Sequence, residues 1–188
     1  MKIATATLKS VSPYSQSLMH EAPKLEREGH AEYEERTWRE KMHYDRKTGE
    51  VFIPPTAFKE SLASSAKFTK RKIAGKGNST YTKHFVAGVL VTEALPLGVR
   101  KEDVPGEWLL MNADGVKGSG KRVKRCFPRF DEWSGDVQFL VLDETITQGV
   151  FTDTLVDAGR FIGIGRFRPE KGGYYGRFTV EAVNWSDA

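Results

Sequence analysis

The sequence predicts an α+β domain in which a four-stranded antiparallel sheet carries two helices on one face. Alternating, β-branched residues at positions 2–11 predict the first strand. Phe58, Leu62 and Ala66 repeat at four-residue spacing behind Pro55 and predict the first helix. Without insertions, the predicted elements run strand, helix, strand, strand, helix, strand. This is the split βαβ order, the ferredoxin-like or RRM-like plan.

Apolar runs predict the other elements of this plan. The remaining sheet strands are expected at residues 84–95, 136–142 and 174–185. Residues 147–161 predict the second helix, which ends near a glycine. Outside this frame we predict a basic loop at residues 70–81 and a connection at residues 96–106. A short strand is expected at residues 108–111 and a hairpin arm at residues 122–130.

The chain is predicted to be one domain, residues 1–188, with insertions at about residues 12–50 and 112–130. Within the first insertion, residues 32–43 alternate in a highly charged pattern that fits either a salt-bridged helix or a strand. A turn at residues 45–49, followed by the apolar residues 51–53, favours an inserted hairpin.

Composition and charge narrow the class of protein. The chain is 39% hydrophobic and 29% charged, which argues against wholesale disorder. The net charge is +4, and residues 61–92 and 115–130 contain no acidic residue. Such asymmetry is expected when one surface meets a polyanion. The lone Cys126 excludes an intrachain disulfide and a cysteine-cluster zinc site.

The sequence also bears on location. Residues 1–10 lack the apolar core of a signal peptide. The longest apolar run, residues 85–91, is too short to span a bilayer. We therefore expect a cytoplasmic protein with no membrane partner.

A glycine-rich stretch near the C-terminus indicates the function. Six glycines fall within residues 159–176, interleaved with arginines, Lys171 and aromatic rings. Cations and rings in alternation are typical of a surface that binds a single nucleic-acid strand. The peptide N–H groups of the loop would then meet phosphate oxygens, and Tyr174 or Tyr175 would stack on a base from one face of the last strand. The alternative is a glycine-rich turn whose arginines are only solvated.

Two motifs resemble a known family. The segment Ile53-Pro54-Pro55-Thr56-Ala57-Phe58-Lys59 resembles the Ile-Pro-Gly-Ser-Ser-Leu-Lys segment that opens the first helix in the RAMP superfamily of CRISPR effector proteins. Gly163 and Gly165, followed at a distance by Gly172, Gly173 and Gly176, resemble the glycine-rich loop of that superfamily. Within that superfamily the chain most resembles the guide-RNA-binding backbone subunit, the seventh Cas family, and its short length would make it a minimal or stand-alone relative. The resemblance implies guide-RNA binding along a basic groove and copies that stack head to tail in a filament, with other effector subunits as further partners.

These arguments predict three groups of nucleic-acid-binding residues. They lie in the first helix and the loop after it, in the hairpin arm, and in the glycine-rich loop. The predicted residues are Lys59, Lys67, Lys70, Arg71 and Lys72; Lys121, Arg122, Lys124 and Arg125; and Gly163, Gly165, Arg166, Arg168, Lys171 and Tyr174.

Signals for catalysis, metals and cofactors are poor. The four histidines lack metal-ligand spacing, and neither a nucleophile elbow nor a P-loop is present, so no metal or cofactor is expected. His20, His43 and Asp45 are weak candidates for acting on a ribose 2′-hydroxyl, as in some RAMP nucleases. We therefore favour a binding protein without chemistry. The alternatives are a metal-independent endoribonuclease of the same fold, a stand-alone single-strand-binding protein of a mobile element that binds RNA or DNA, and an interaction protein whose basic loops meet acidic protein.

Overall fold

The structure is a computed structural model that describes every residue except Asp114, Gly115, Lys117 and Ser119. In chain order, the described strands are β1 (Lys2–Ser10), β2 (Tyr14–Ser15), β3 (Glu50–Ile53), β4 (Val89–Val91), β5 (Leu95–Arg100), β6 (Gly106–Asn112), β7 (Arg122–Phe130), β8 (Ser134–Val141) and β9 (Phe178–Asp187). The helices are α1 (His30–Thr37), α2 (Pro55–Thr69), α3 (Thr82–Gly88) and α4 (Gln148–Asp157). Short 3₁₀ turns lie at Trp38–Lys41 and Pro169–Lys171, and a π-helical turn at Ala158–Ile162 continues α4.

The main sheet has the order β4-β8-β1-β9, and all neighbours are antiparallel. Residues Ala4, Ala6 and Leu8 of β1 are buried on one face, where α4 packs. Phe151 of α4 meets Phe139 of β8 in an edge-to-face contact at 5.2 Å. The strands belonging to the split βαβ frame are therefore paired in the order that plan requires, which confirms the predicted α+β, ferredoxin-like fold.

A second layer is built from the segments between these strands. The residues of β7 from Arg122 to Pro128 pair with β6, and its last two residues pair with the short β2; β3 pairs with β5. The hairpin arm predicted at residues 122–130 is confirmed as β7. The predicted turn at residues 45–49 is also present, because the Asp45 amide donates to the Glu50 carbonyl and Tyr44 bridges Val51.

The strand favoured at residues 32–43 is wrong, since this segment is α1 and the 3₁₀ turn after it. The Glu32 carboxylate accepts a hydrogen bond from the Gly29 amide at 2.8 Å and caps the helix. Glu34, Thr37 and Lys41 are buried at helical spacing together with Trp38. A buried face with two charged residues does not resemble an apolar helix face, so the spacing of apolar residues did not indicate this helix.

Three other expectations also need correction. Residues 82–88 form α3, so the predicted strand at 84–95 is reduced to β4. The predicted connection at 96–106 contains most of β5. β9 begins at Phe178 and not at residue 174, so Tyr174 and Tyr175 precede the strand and the argument from strand alternation does not apply to them.

Candidate nucleic-acid interface

The open face of the main sheet lacks a base-stacking platform. β1, β8 and β9 place Thr5, Gln138 and Asn184 in register across that face. The aromatic residues of the four strands, all of which are described, lie elsewhere: Phe139 and Phe178 are buried, and Trp185 packs on Phe151. A ligand bound as RNA-recognition modules bind it would meet no ring on these strands, so the candidate interface lies on the helix side.

The glycine-rich loop, residues 163–176, is folded tightly onto itself and onto β2. Gly165 has a φ of 73°, and a Cβ atom at this position would overlap the Ser15 carbonyl oxygen. Gly176 has a φ of 79°, and a Cβ atom there would overlap the Ile164 carbonyl oxygen. Side chains are disfavoured at these positions by both torsion and space, so these glycines are needed for the fold of the loop.

Most of the loop's amides are already used inside the protein. Ile164 donates to the Gly176 carbonyl at 3.0 Å, and Gly176 donates to the Pro13 carbonyl at 2.7 Å. The amides of Gly163, Arg166, Lys171, Gly172, Gly173 and Tyr175 donate to carbonyl oxygens in the same way. The expectation that the loop's peptide groups would receive phosphate oxygens is therefore wrong for these eight amides.

Arg166 is buried beneath the loop. Its side chain is 9% exposed, and its guanidinium carbon lies 3.8 Å from the centre of the Phe127 ring. Its Nη2 atom lies 3.7 Å from Oε2 of Glu107, and its Nε atom donates to the Ser15 hydroxyl at 3.3 Å. Burial lowers the pKa of Arg166, although the Glu107 carboxylate opposes this shift. These contacts tie the loop to β6 and β7, so Arg166 does not reach the surface.

Two of the loop residues that were predicted to bind nucleic acid are exposed. Arg168 is held by Glu170 at 3.0 Å and by the Gly165 carbonyl at 3.2 Å. The Lys171 side chain is 67% exposed and lies 3.9 Å from Glu170, too far for a hydrogen bond. Tyr174 is 62% exposed. Lys171 and Tyr174 are therefore the predicted residues of this loop that a ligand can reach.

In the first helix and the loop after it, some of the predicted cations are bound within the protein and others are exposed. The Lys59 ammonium donates to the carbonyls of Phe85 and Val86, at 2.8 and 2.7 Å, and so caps α3. Arg71 forms ion pairs with Asp153 and Asp157 of α4. The remaining predicted cations of this group are exposed, and no described carboxylate pairs with them: Lys67, Lys70 and Lys72.

In the hairpin arm, Arg125 serves the fold. Its Nη1 atom lies 3.1 Å from the buried Glu34 carboxylate, which also accepts hydrogen bonds from the Lys41 ammonium and, at 2.7 Å, from the Cys126 amide. Burial raises the pKa of Glu34, but these hydrogen bonds outweigh it and hold the pKa below its usual range. The other predicted cations of the arm are exposed: Lys121, Arg122 and Lys124.

The weak catalytic candidates lie apart from the glycine-rich loop. His20 and His43 both line a cavity of about 550 Å³, together with Tyr44 and Arg46. Burial lowers the pKa of His43. The Asp45 carboxylate accepts hydrogen bonds from two amides of its own turn, at 2.7 and 2.9 Å, which is the role of a turn residue.

Metal and membrane features were also sought. In the part of the chain that the structure describes, no group of three or more histidine, cysteine, aspartate or glutamate residues is arranged to hold a metal ion. Within the same residues, no helix has the length and apolar character needed to cross a membrane.

Comparison with known proteins shows similarity in structure but not in sequence. No protein-family model matches the chain, and no curated protein is significantly similar to it. The chain aligns over 99% of its length with a chain in the cryo-EM structure of the type III-B Cmr-beta bound to cognate target RNA, with a TM-score of 0.58 and 12% identity. The chain therefore shares the fold of that Cmr-beta chain. This agrees with the prediction from the two sequence motifs, although the protein spans only 61% of that Cmr-beta chain. The crystal structure of Cmr6 from Pyrococcus furiosus also aligns, over 96% of this chain and 99% of that one, with a TM-score of 0.49 and 14% identity.

The two RAMP-like motifs meet in space. A small cavity of about 30 Å³ lies between the start of α2 and the glycine-rich loop, lined among others by Ala57, Ser61, Gly163 and Arg168. Because both motifs are used in the same junction, they belong to one structural unit although more than a hundred positions separate them in the chain.

The sequence analysis missed one surface residue. Phe68 lies in the last turn of α2 and is 63% exposed. A signal was present, because Phe68 falls off the helix face formed by Phe58, Leu62 and Ala66 and lies beside Lys67.

Proposed function

We propose that the protein binds single-stranded RNA as a guide-RNA-binding subunit of a CRISPR-type ribonucleoprotein. The observation that carries this proposal is the group of exposed cations at the end of α2, Lys67, Lys70 and Lys72, which no described carboxylate neutralises. Exposed cations without a paired carboxylate attract the phosphate backbone of a nucleic acid. The fold shared with a chain of an RNA-bound Cmr-beta structure supports the same ligand.

The glycine-rich loop extends this surface. Ser64 of α2 and Arg168 of the loop line the same small cavity, so this part of the loop lies beside that helix. Lys67 of α2 and Lys171 and Tyr174 of the loop are all exposed. A strand crossing here would meet cations for its phosphates and a ring for a base.

The direct test is binding of labelled oligonucleotides to protein freed of nucleic acid by high salt. We expect single-stranded RNA to bind at low salt more tightly than duplex RNA of the same sequence, and we expect protein purified at low salt to carry nucleic acid, seen as a raised 260/280 nm absorbance ratio. Single-stranded DNA of the same sequence tests the preference for RNA. Absence of any RNA binding at low salt would overturn the proposal and favour an acidic protein as the partner.

We further propose that copies associate head to tail along the strand. The first insertion and the hairpin arm line one cavity of about 670 Å³, formed by Ala31 and Glu35 of α1, Trp108 and Leu110 of β6, and Lys124 of β7. Leu110 is 65% exposed and Trp108 is 48% exposed. Adjacent exposed apolar side chains on a hairpin are typical of a surface that meets another protein, and a second copy is the partner that a long strand brings close.

Sedimentation with RNAs of increasing length tests this assembly. Mass should rise by one protomer per fixed number of nucleotides, and Leu110→Lys should reduce the number of protomers on long RNA while leaving binding to a short RNA unchanged. One protomer on every length would refute the assembly.

A second candidate function rests on the cavity that His20 and His43 share. The lowered pKa of His43 favours its neutral form at pH 7, which a general base requires. A metal-independent endoribonuclease would cleave RNA in chelator, leave cyclic-phosphate ends, and lose activity in His20→Ala and His43→Ala. Asp45→Asn is the control, because the Asp45 carboxylate accepts hydrogen bonds from the amides of its own turn. Intact RNA after prolonged incubation with wild-type protein would exclude this function.

A further inference from the structure

Two phenylalanine rings lie together in solvent on the helix side of the sheet. Phe68, in the last turn of α2, is 63% exposed, and Phe161, in the π-helical turn after α4, is 48% exposed. Their ring centres are 5.6 Å apart and their planes are inclined by 33°. Single exposed apolar side chains are common on protein surfaces. Two adjacent exposed rings form a larger apolar patch, and such patches are typical of a surface that binds a ligand.

Both rings are carried on elements that packing holds in place. Ser65 of α2 donates its hydroxyl proton to the Thr154 carbonyl of α4 at 2.8 Å. Just after the end of α2, Arg71 forms ion pairs with Asp153 and Asp157 at 2.7 and 3.2 Å. Because α4 continues directly into the turn that contains Phe161, these contacts set the spacing of the two rings before a ligand arrives.

The charge around the rings selects the class of ligand. Lys67 and Lys70 flank Phe68 in the chain, and Arg160 precedes Phe161. All three cations are exposed, and no carboxylate in the described part of the chain forms an ion pair with them. The acidic side chains of α4 nearest to this region are already occupied by Arg71. A flat apolar surface surrounded by uncompensated cations fits a ligand that alternates flat bases with phosphates.

We propose that Phe68 and Phe161 form a stacking platform for one or two bases of the bound single strand, while Lys67, Lys70 and Arg160 hold the neighbouring phosphates. The platform lies on the helix side, opposite the face that RNA-recognition modules use, and it requires no particular base, because every base has a flat face. This inference rests on the proposed function, since it names how the same surface would hold its RNA.

The test uses the full-length protein and short single-stranded RNAs that carry the fluorescent base 2-aminopurine at successive positions. Stacking on a ring quenches this base, so wild-type protein should quench it at one or two positions. Phe68→Ala and Phe161→Ala should abolish that quenching and weaken binding about 5- to 150-fold each, with an unchanged dependence on salt. Phe68→Trp should retain the quenching, whereas Phe68→Leu, which is apolar but not aromatic, should not.

Leu90→Ala is the matched control, because Leu90 is a 43%-exposed apolar residue on β4, outside the helix side. It should leave quenching and affinity unchanged, and thermal melting should show all variants folded. If wild-type protein binds RNA but the two alanine variants bind and quench as it does, the platform is refuted while the proposed function stands. If wild-type protein binds no RNA, both fall.

Discussion

Two lysines on α2 allow a matched test of which cations contact RNA. Lys59 and Lys67 lie eight positions apart on one helix, and both were predicted to bind nucleic acid. The structure uses the Lys59 ammonium to cap the carbonyls of α3, whereas Lys67 is exposed and no described carboxylate pairs with it. Replacing each by methionine removes one charge and keeps a long apolar side chain.

We expect the Lys67 substitution to change RNA binding and the Lys59 substitution to change stability. On single strands, each phosphate contact contributes about −0.7 to the slope of log affinity against log salt concentration. Lys67→Met should therefore make the slope shallower by about 0.7 and weaken binding about fivefold at 0.1 M salt, with the loss vanishing toward 1 M. Lys59→Met should leave the slope unchanged. Its cost should instead be to stability, about 1.5–3 kcal/mol for the lost hydrogen bonds of a charged group, or roughly 3–12 °C in melting temperature.

The assay is fluorescence anisotropy of a labelled single-stranded RNA at several salt concentrations, with thermal melting of each variant. An equal change of slope in the two variants would show that burial and partners do not decide which cations contact RNA. An unchanged slope in Lys67→Met would remove this residue from the interface.

Three further outcomes follow from the same geometry. Gly165→Val should cost about 3 kcal/mol of unfolding free energy, because its φ of 73° and the Ser15 carbonyl exclude a side chain; melting close to that of wild type would contradict this. Lys171→Ala should leave the melting temperature unchanged and weaken RNA binding, and an equal loss of both properties would mean that the loop is only structural. The lowered pKa of Glu34 means that its stabilisation is present above its ordinary pKa of 4.5 and is lost as pH falls below that value. Glu34→Gln should destabilise the protein by about 3–5 kcal/mol at pH 7 and flatten its acid unfolding profile, whereas an unaltered profile would show that Glu34 does not titrate with unfolding.

Much of the fold could be predicted from the sequence because the signals for it are local. β1 and β8 alternate or run apolar within a few residues, and α2 repeats its apolar face every four. The helix α1 was not predicted, because the buried face that it forms with the 3₁₀ turn after it includes Glu34 and Lys41. Those charges are tolerated inside only because β7, about ninety positions away, supplies Arg125 and the backbone of Cys126 as partners.

The residues of the candidate site were likewise only partly predictable from the sequence. The sequence determined that cations and rings cluster around α2 and the glycine-rich loop, since composition along the chain is visible in the sequence itself. Only the tertiary structure decided which of them a ligand can reach: Arg166 lies buried against Phe127, while Lys67 remains in solvent. Apolar periodicity can be recognised from residues that are neighbours in the chain. The partner of a charged residue is often distant in the chain and close only in the folded structure. That partner decides whether the charge stabilises the fold or is free to bind RNA.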